Sequence, residues 1–525
     1  MSTPSVNPSN ANLRHFLIRS GWLALLSVVA LLAVAGVGIV GWLAEPPSGD
    51  FATQADWLGG AAEVMAGVLA VAMTVVAIVV ELASNRYSHR ISELFFNDPL
   101  NQGVLMLLVI TTSLCVWTSL AFGLGFESAW FAGIGGDLLV GLISISVLVL
   151  IPYFFYVFRF LRPLNIVLRI YNQARPQSIW RGAGEVSVAQ MRLATIIGDL
   201  YDVAGSALEN HDRNIAVASL AALFDLIHDY RTATETAPAD WHTLSQAGFA
   251  DPDFVALSED AADEIQANGT WLETKIVRQA LLLVGRSMPG MPDIAHQYSM
   301  RVGELLPLTR EHPNLFLIVL RAFNSQLRLA INRRDLRTGY FILAHYRRAG
   351  EWALEHGYAD RARQVAIHMR QYGQLAFEMG QPFLLEVTAQ DMVELIEQCD
   401  GDDDIGGLLR ILLNMDRPVT DEESLAMQSL RGVRRAQVRL AAHFLAQAEQ
   451  ESASDARYLV HYRTVVEDLK TEKYDQVSAC IAELENEDRA LFWEFTERGA
   501  NFSYLPPPMR RQLVRLRQDL DPAAT

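Results

Sequence analysis

Four long apolar segments, separated by short polar ones, dominate the first 160 residues of the chain. They cover residues 21–44, 58–83, 103–125 and 131–157. A helix rises ~1.5 Å per residue, so each segment is long enough to cross a hydrocarbon layer of ~30 Å. The pattern predicts four transmembrane helices that follow an N-terminal segment, residues 1–20. A cleaved signal peptide is the alternative for residues 21–44, but its apolar region would be only ~7–15 residues long.

After Pro163 the apolar residues recur at intervals of three and four, which is the period of amphipathic helices. The pattern therefore predicts an all-α fold, with a second domain at 161–520, a polar loop at 232–253 and a flexible tail at 521–525. The domain is either a compact bundle or a stack of helical hairpins similar to tetratricopeptide units. The stretch AGEWALEHG (349–357) resembles YGQLAFEMG (372–380), but no third copy follows. The predicted helices include residues 314–331, 336–356, 360–380, 421–450 and 453–469.

The position of the arginines predicts how the spans are oriented. Basic residues precede the first predicted span and follow the second and the fourth: Arg14, Arg19, Arg86, Arg90, Arg159, Arg162 and Arg169. The other two loops, at 45–57 and 126–130, contain no lysine or arginine. Basic loops stay on the cytoplasmic side of a membrane. We therefore predict a multi-pass protein of the bacterial inner membrane, with its N-terminus and its helical domain in the cytoplasm.

Composition and charge exclude several classes of function. The net charge of −17 would repel phosphate backbones, so we expect no nucleic-acid binding. The three cysteines form no pair at metal-ligand spacing, and we predict no metal and no cofactor. The acidic run at 400–404 differs from a calcium loop because Ile405 and Ile411 occupy the positions of glycine and glutamate.

One further motif has a simpler explanation than cofactor binding. The spacing of Gly36, Gly38 and Gly41 matches a dinucleotide-binding pattern, but these glycines lie inside a predicted span, where small residues let helices approach closely. The sequence contains no nucleophile elbow and no P-loop. We therefore predict that the protein is not an enzyme.

Two acidic residues lie at a similar depth inside predicted spans. Glu63 and Asp137 are each about six residues from the outer end of their span, by the boundaries given above. Acidic residues in spans are costly and tend to mark a pathway or a partner. The two carboxylates are candidates for an outer vestibule that concentrates cations. Alternatively, both cap the starts of their helices, where a carboxylate is favourable.

Further polar candidates lie in the third predicted span and around the end of the second. A polar membrane face would consist of Thr111, Thr112, Ser113, Thr118 and Ser119, although such hydroxyls also bond to their own helix carbonyls. At the cytoplasmic interface a second motif consists of Glu81, Arg86, Tyr87, Ser88 and Arg90. For Glu81 the simpler explanation is an interfacial ion pair with the arginines.

Residues 59–123 resemble a bacterial family of predicted membrane proteins, the domain of unknown function twenty-two fifty-four. The pattern consists of a small-residue helix that ends in Ala83-Ser84, the run from Arg86 to Arg90, an acidic amphipathic turn at 93–98 and a third helix led by Gln102. The sequence departs from the family at His89, where proline is usual, and at Glu81, where an uncharged polar residue is expected. Residues 193–230 also resemble the family, with Asn210-His211-Asp212 as a turn between two helices. The resemblance implies four spans and a soluble tail, without an established activity.

These features support two hypotheses about function. The first is an ion channel or transporter that assembles as a homo-oligomer through its small-residue helices in the lipid bilayer and is regulated by the cytoplasmic domain. Four spans leave one protomer little room for a pore, so several chains would be needed. The second is a membrane-anchored interaction or signalling platform that binds cytoplasmic protein partners and transports nothing.

Overall fold

A computed structural model describes most of the chain after residue 50. The described residues are 51–86, 95–96, 98–124, 136–160, 162–181, 185–246, 248–415, 430–450, 457–491 and 500–521. Within them every long element is a helix, and the nearest approach to a strand is one isolated bridge between Leu491 and Ala500. The prediction of an all-α fold is confirmed. The chain divides into two compact units, Met1–Arg169 and Ile170–Thr525.

The first unit contains three helices that are long and apolar enough to cross a membrane. These are α1 (Phe51–Arg86), α2 (Pro99–Gly123) and α3 (Gly136–Phe160). Their membrane-compatible parts are Gly59–Leu82, Pro99–Ala121 and Leu138–Arg159, which agree with the second, third and fourth predicted spans. The predicted first span, at 21–44, and the glycines within it lie outside the described residues.

Small and apolar side chains pack α1 against α2 and α2 against α3. One buried cluster contains Ala62, Met65, Ala72, Leu108, Cys115 and Leu139. Many other large apolar side chains point outward, and Trp117 and Phe155 are each 73% exposed. An apolar exterior around an interior that contains small residues such as Ala62 and Ala72 is typical of helices that pack together within lipid.

The second unit is a succession of antiparallel helices joined by short turns. Its chain begins in α4 (Pro163–Ala174), within which the boundary between the units falls, and α5 (Pro176–Arg181). The longer helices that follow are α6 (Val186–Glu209), α7 (Arg213–Thr232), α10 (Trp271–Ser287), α11 (Pro292–Gly303), α12 (Leu315–Arg333), α13 (Leu336–Glu355), α14 (Ala359–Glu378), α15 (Pro382–Glu397), α16 (Asp402–Leu413), α17 (Arg431–Gln450), α18 (Arg457–Leu469), α19 (Tyr474–Asn486) and α20 (Pro507–Leu520). Two short helices, α8 (Pro252–Val255) and α9 (Glu259–Asn268), precede α10.

The helices from α6 to α17 pack in two layers. Helices α6, α10, α12, α14 and α16 follow one another in the first layer, and α7, α11, α13, α15 and α17 follow one another in the second. Helices α12 and α14 of the first layer meet at residues 44 positions apart, since Asn324 contacts His368 and Arg328 donates to the Tyr372 hydroxyl. Of the two arrangements predicted for this domain, the structure shows the stack of hairpins.

The two similar stretches found in the sequence have a common structural role. Gly357 and Gly380 each follow a helix with positive φ, 76° and 78°, and the next backbone N–H closes the helix by bonding to Ala353 O and Ala376 O. This left-handed helix end favours glycine because a Cβ atom would be strained there. The similarity therefore marks the ends of two consecutive helices, α13 and α14, instead of one hairpin repeated.

The predicted loop at 232–253 contains short helical turns and is anchored by Trp241. The Trp241 ring lies 5.3–5.6 Å from the rings of Tyr230, Trp180 and Trp271, and its carbonyl accepts hydrogen bonds from Gln190 and Trp271. Trp241 is 1% exposed. The loop is thus part of the core, because its central side chain fills an aromatic cluster.

Candidate functional site

The two candidate vestibule carboxylates have different positions in their helices. Glu63 is exposed on α1, which begins at Phe51, so this residue lies well inside the helix instead of at its start. Asp137 is the second residue of α3. The side chain of Asp137 lies outside the description, so the vestibule stays a prediction.

The hydroxyl groups of the candidate polar face divide between the inside and the outside of the three-helix unit. Thr111 is buried, and its Oγ1 lies 2.9 Å from Ser146 Oγ on α3 and 2.8 Å from Leu107 O. Thr112 and Thr118 bond to the carbonyls of Leu108 and Leu114. Ser119 is half-buried, and Ser113 is exposed. The inner hydroxyls therefore bond within helices or between α2 and α3.

The candidate interfacial motif is described only at its beginning. Glu81 is exposed on α1, and Arg86 is the last residue of that helix. The side chain of Arg86 and all of Tyr87, Ser88 and Arg90 lie outside the described residues, as does His89. The interfacial ion pair therefore stays a prediction.

A buried polar cluster that the sequence did not reveal lies where α2 begins and α3 ends. We call it the junction cluster, and it consists of Asp98, Asn101, Tyr153, Tyr156 and Arg169. Asp98 Oδ1 caps α2 by accepting from the backbone N–H groups of residues 100 and 101 at 3.1 and 3.4 Å. Asp98 Oδ2 accepts from Arg169 Nη1 at 3.0 Å. One carboxylate thus joins a helix start to a guanidinium 71 positions later in the chain.

The remaining members of the junction cluster complete its hydrogen bonds. The Tyr153 hydroxyl donates to the Asn101 side chain, and Asn101 Nδ2 donates to Phe95 O at 3.2 Å. Arg169 Nη2 lies 3.4 Å from the Tyr156 hydroxyl. Asn101 is fully buried, and Asp98 is 8% exposed. Because these polar groups satisfy one another away from water, the cluster fixes the ends of α2 and α3 together.

The electrostatics of Asp98 follow from its partners. Burial alone would raise the pKa of its carboxyl group, but the hydrogen bonds from Tyr156 and Arg169 and the charge of Arg169 outweigh burial. The pKa of Asp98 is therefore lower than its ordinary value of 3.8. The carboxylate is ionised at neutral pH, and its charge is matched by the guanidinium.

Replacing Asp98 with asparagine is expected to destabilise the first unit by about 1–3 kcal/mol at pH 7, because Arg169 loses its buried anionic partner. The pKa of Asp98 is lower in the folded state than in the unfolded state. The stabilisation by its ionised carboxylate is therefore fully present above pH 3.8 and is lost as the pH falls through the folded pKa. The measurement is the midpoint of thermal unfolding in detergent for both proteins, at pH values from about 3 to about 7. The control is Glu81→Gln, an exposed carboxylate; equal effects of both changes at every pH would contradict the role of Asp98.

One recess of the second unit is too small for a sizeable ligand. A recess of about 40 Å³ between α11 and α13 is lined by Asp293, His296, Ser299, Arg337 and Phe341, among others. Sites for small organic ligands usually have volumes of about 300–1,000 Å³. The described residues also contain no group of three histidine, cysteine or acidic side chains that could hold a metal.

The arginines of α17 pair with acids on neighbouring helices. Arg439 lies 3.1 Å from Glu397 of α15, and Arg435 pairs with Glu386 of the same helix. Arg434 pairs with Glu472, which follows α18. The sequence of α17 is basic, but these three arginines form ion pairs that help to fix α17 against its neighbours.

Comparison with known proteins agrees with the resemblance seen in the sequence. The family described as "Predicted membrane protein (DUF2254)" matches residues 16–236. The match includes both segments from which the resemblance was inferred, and the structure places residues 210–212 as a turn between α6 and α7. No curated protein matches the chain. The match and the three apolar helices identify the chain as a membrane protein that is similar, over residues 16–236, to this family.

Proposed function

We propose that the chain is a membrane-anchored interaction platform whose helical unit binds cytoplasmic protein partners. The observation that carries this proposal is the two-layer stack of hairpins in the second unit. Such stacks present long continuous surfaces instead of a closed pocket, and they are widely used to bind other proteins. The small volume of the recess between α11 and α13 favours protein partners over small molecules.

The stack has the rigidity that a binding surface needs. Arg347 of α13 lies 3.3 Å from Asp391 and 2.9 Å from Glu394 on α15, and it also pairs with Glu351. Asp391 is fully buried. Close approaches add to this, since a Cβ atom at Gly350 would lie 2.9 Å from Leu395. Neighbouring hairpins therefore have one preferred register, and a partner would meet a preorganised surface.

The membrane helices contribute an anchor in this proposal. The hydroxyl groups of Thr111 and Thr118, which a conducting path would need to expose, are buried and bonded within the unit. Hydroxyl groups used in this way stabilise helix packing. Transport through the described three helices of a single chain is therefore disfavoured.

The experiment replaces residues 1–160 with an unrelated four-span anchor of the same orientation and measures the phenotype of a deletion strain that expresses the chimera. A platform predicts that the chimera restores the phenotype. A matched variant keeps the native spans and carries Arg347→Glu, which places a carboxylate against Asp391 and Glu394. The like charges should weaken the packing of α13 on α15, so we expect this variant to fail to restore the phenotype. Failure of the chimera, with normal expression and localisation, would refute the proposal.

The exposure of Glu63 supports a second candidate, an oligomeric ion channel or transporter regulated by the helical unit. An exposed carboxylate on an apolar span is costly in lipid, so another helix of this chain or a second copy would have to cover it. Flux of cations from liposomes that contain the full chain tests this candidate. Flux that Glu63→Gln abolishes and Glu81→Gln leaves intact would favour the pore, and a strict monomer in lipid would exclude it.

A further inference from the structure

The turns of the hairpin stack lie on two opposite edges, and the two edges differ in charge. At one edge the helices of the second layer end and those of the first layer begin. The exposed acids near its turns are Glu304, Glu311, Glu355, Asp360, Asp400, Asp402 and Asp403. We call this the acidic edge. The chain as a whole is also acidic, with a net charge of −17.

At the opposite edge, one turn among the described residues carries three exposed arginines. We call it the basic edge and define it by Arg333, Arg334 and Arg337 with Leu336, Met379 and Phe383. The three arginines are exposed, and none forms an ion pair with a described residue. They lie at the end of α12 and the start of α13, so they follow one another within five positions of the chain.

Two acids lie close to these arginines and lower the net charge of the two neighbouring turns to about +1. The Asp335 carboxylate caps α13, where it accepts from Thr338 N at 3.0 Å and from Thr338 Oγ1 at 2.7 Å. Glu378, at the end of α14, is the exposed acid of the neighbouring turn. The guanidinium of Arg337 lies 5.9 Å from the centre of the Phe341 ring, which holds it at the surface.

Large apolar side chains are exposed among the arginines. Leu336 and Phe383 are each 41% exposed and Met379 is 38% exposed. The two turns are neighbours, because Gln381 Nε2 donates to Ile331 O at 2.8 Å and the rings of Tyr340 and Phe383 lie 5.7 Å apart. Arginines combined with leucine, methionine and phenylalanine are typical of a surface at the boundary between headgroups and acyl chains.

We propose that the basic edge docks on the anionic phospholipid headgroups of the bilayer that α1, α2 and α3 span. The helical unit is tethered to this bilayer by the same chain, so even weak attraction acts at a high effective concentration. An anionic surface attracts the three arginines and repels the acidic edge, and this difference orients the stack. The docking is independent of whether the helical unit is a platform or regulates a pore.

The test uses the full chain in nanodiscs of phosphatidylcholine, with or without about one third phosphatidylglycerol. A fluorophore is attached at Met379→Cys on the basic edge or at Glu355→Cys on the acidic edge, and a spin-labelled headgroup is the quencher. Cys115, Cys399 and Cys480 are buried, so labelling at the new cysteine is selective. We expect quenching only at position 379 and only in the anionic discs, and we expect high salt to abolish it.

Charge variants separate lipid attraction from other causes. Each arginine removed should weaken docking about fivefold, so the triple change R333E/R334E/R337E abolishes quenching, and R333K/R334K/R337K retains most of it. These side chains are exposed, and circular dichroism of each variant checks that the helices remain. Equal quenching at positions 355 and 379, no quenching at either, or quenching independent of lipid charge would overturn the proposal. If the fluorescence at position 379 changed with the number of chains per disc, a second copy of the chain would cover the basic edge. That result would also overturn the proposal.

Discussion

The replacement of Trp241 with alanine is expected to destabilise the helical unit by about 3–5 kcal/mol, the usual cost of removing a buried aromatic side chain. Trp241 stacks on Tyr230, with ring centres 5.3 Å apart, and contacts Trp180 and Trp271. Its backbone carbonyl remains in the variant, so the loss is that of packing. The midpoint and free energy of urea unfolding of the full chain in detergent, followed by circular dichroism, measure the effect.

Val255 provides the control for this prediction. It lies in the segment that follows the same loop, and it is 69% exposed. The change Val255→Ala should alter the free energy of unfolding by less than about 0.5 kcal/mol. A Trp241→Ala variant as stable as Val255→Ala would show that the aromatic cluster does not hold the loop.

The second large effect concerns a buried ion pair between α7 and α10. Arg231 Nε lies 2.6 Å from Glu273 Oε1, and the two side chains are 7% and 1% exposed. Replacing Glu273 with glutamine leaves the guanidinium buried without its counter-charge, and we expect a loss of about 3–5 kcal/mol. Urea unfolding under the same conditions provides the measurement.

A double replacement separates the value of the pair from the cost of a buried charge. The variant Arg231→Met/Glu273→Leu removes both charges and keeps similar volume, so it should be clearly more stable than Glu273→Gln alone. Arg231 also donates to Gly269 O at 2.8 Å, which the double variant loses. If the double variant were the less stable of the two, the pair itself would be stabilising and the prediction would be wrong.

Much of the fold was predictable because helix period and span length are local properties of the sequence. Three predicted spans coincide with α1, α2 and α3, and the predicted helix at 336–356 coincides with α13 within one residue. The stack itself was harder to predict. Its helices meet through different side chains and at different separations in each pair, 77 positions for α6 with α10 and 44 for α12 with α14, so the structural repeat leaves no recurring motif in the sequence.

The junction cluster could be predicted only in part. Asp98 followed by Pro99 is a familiar start of a helix, and this signal was available. The partners of Asp98 and Asn101 were not, because Arg169 and Tyr153 lie 71 and 52 positions away, and packing alone brings them together. The same reasoning applies to Thr111, whose contact with Ser146 spans 35 positions.

The serial packing of the hairpins has a consequence for how the helical unit loses its structure. Helices α12 and α13 contact mainly the hairpins immediately before and after them. In such an array a local lesion weakens its neighbours first, and its influence declines with distance along the array. Hydrogen exchange should then reveal a graded order of opening along the chain, in which the hairpin that carries a lesion opens first and distant hairpins keep their protection.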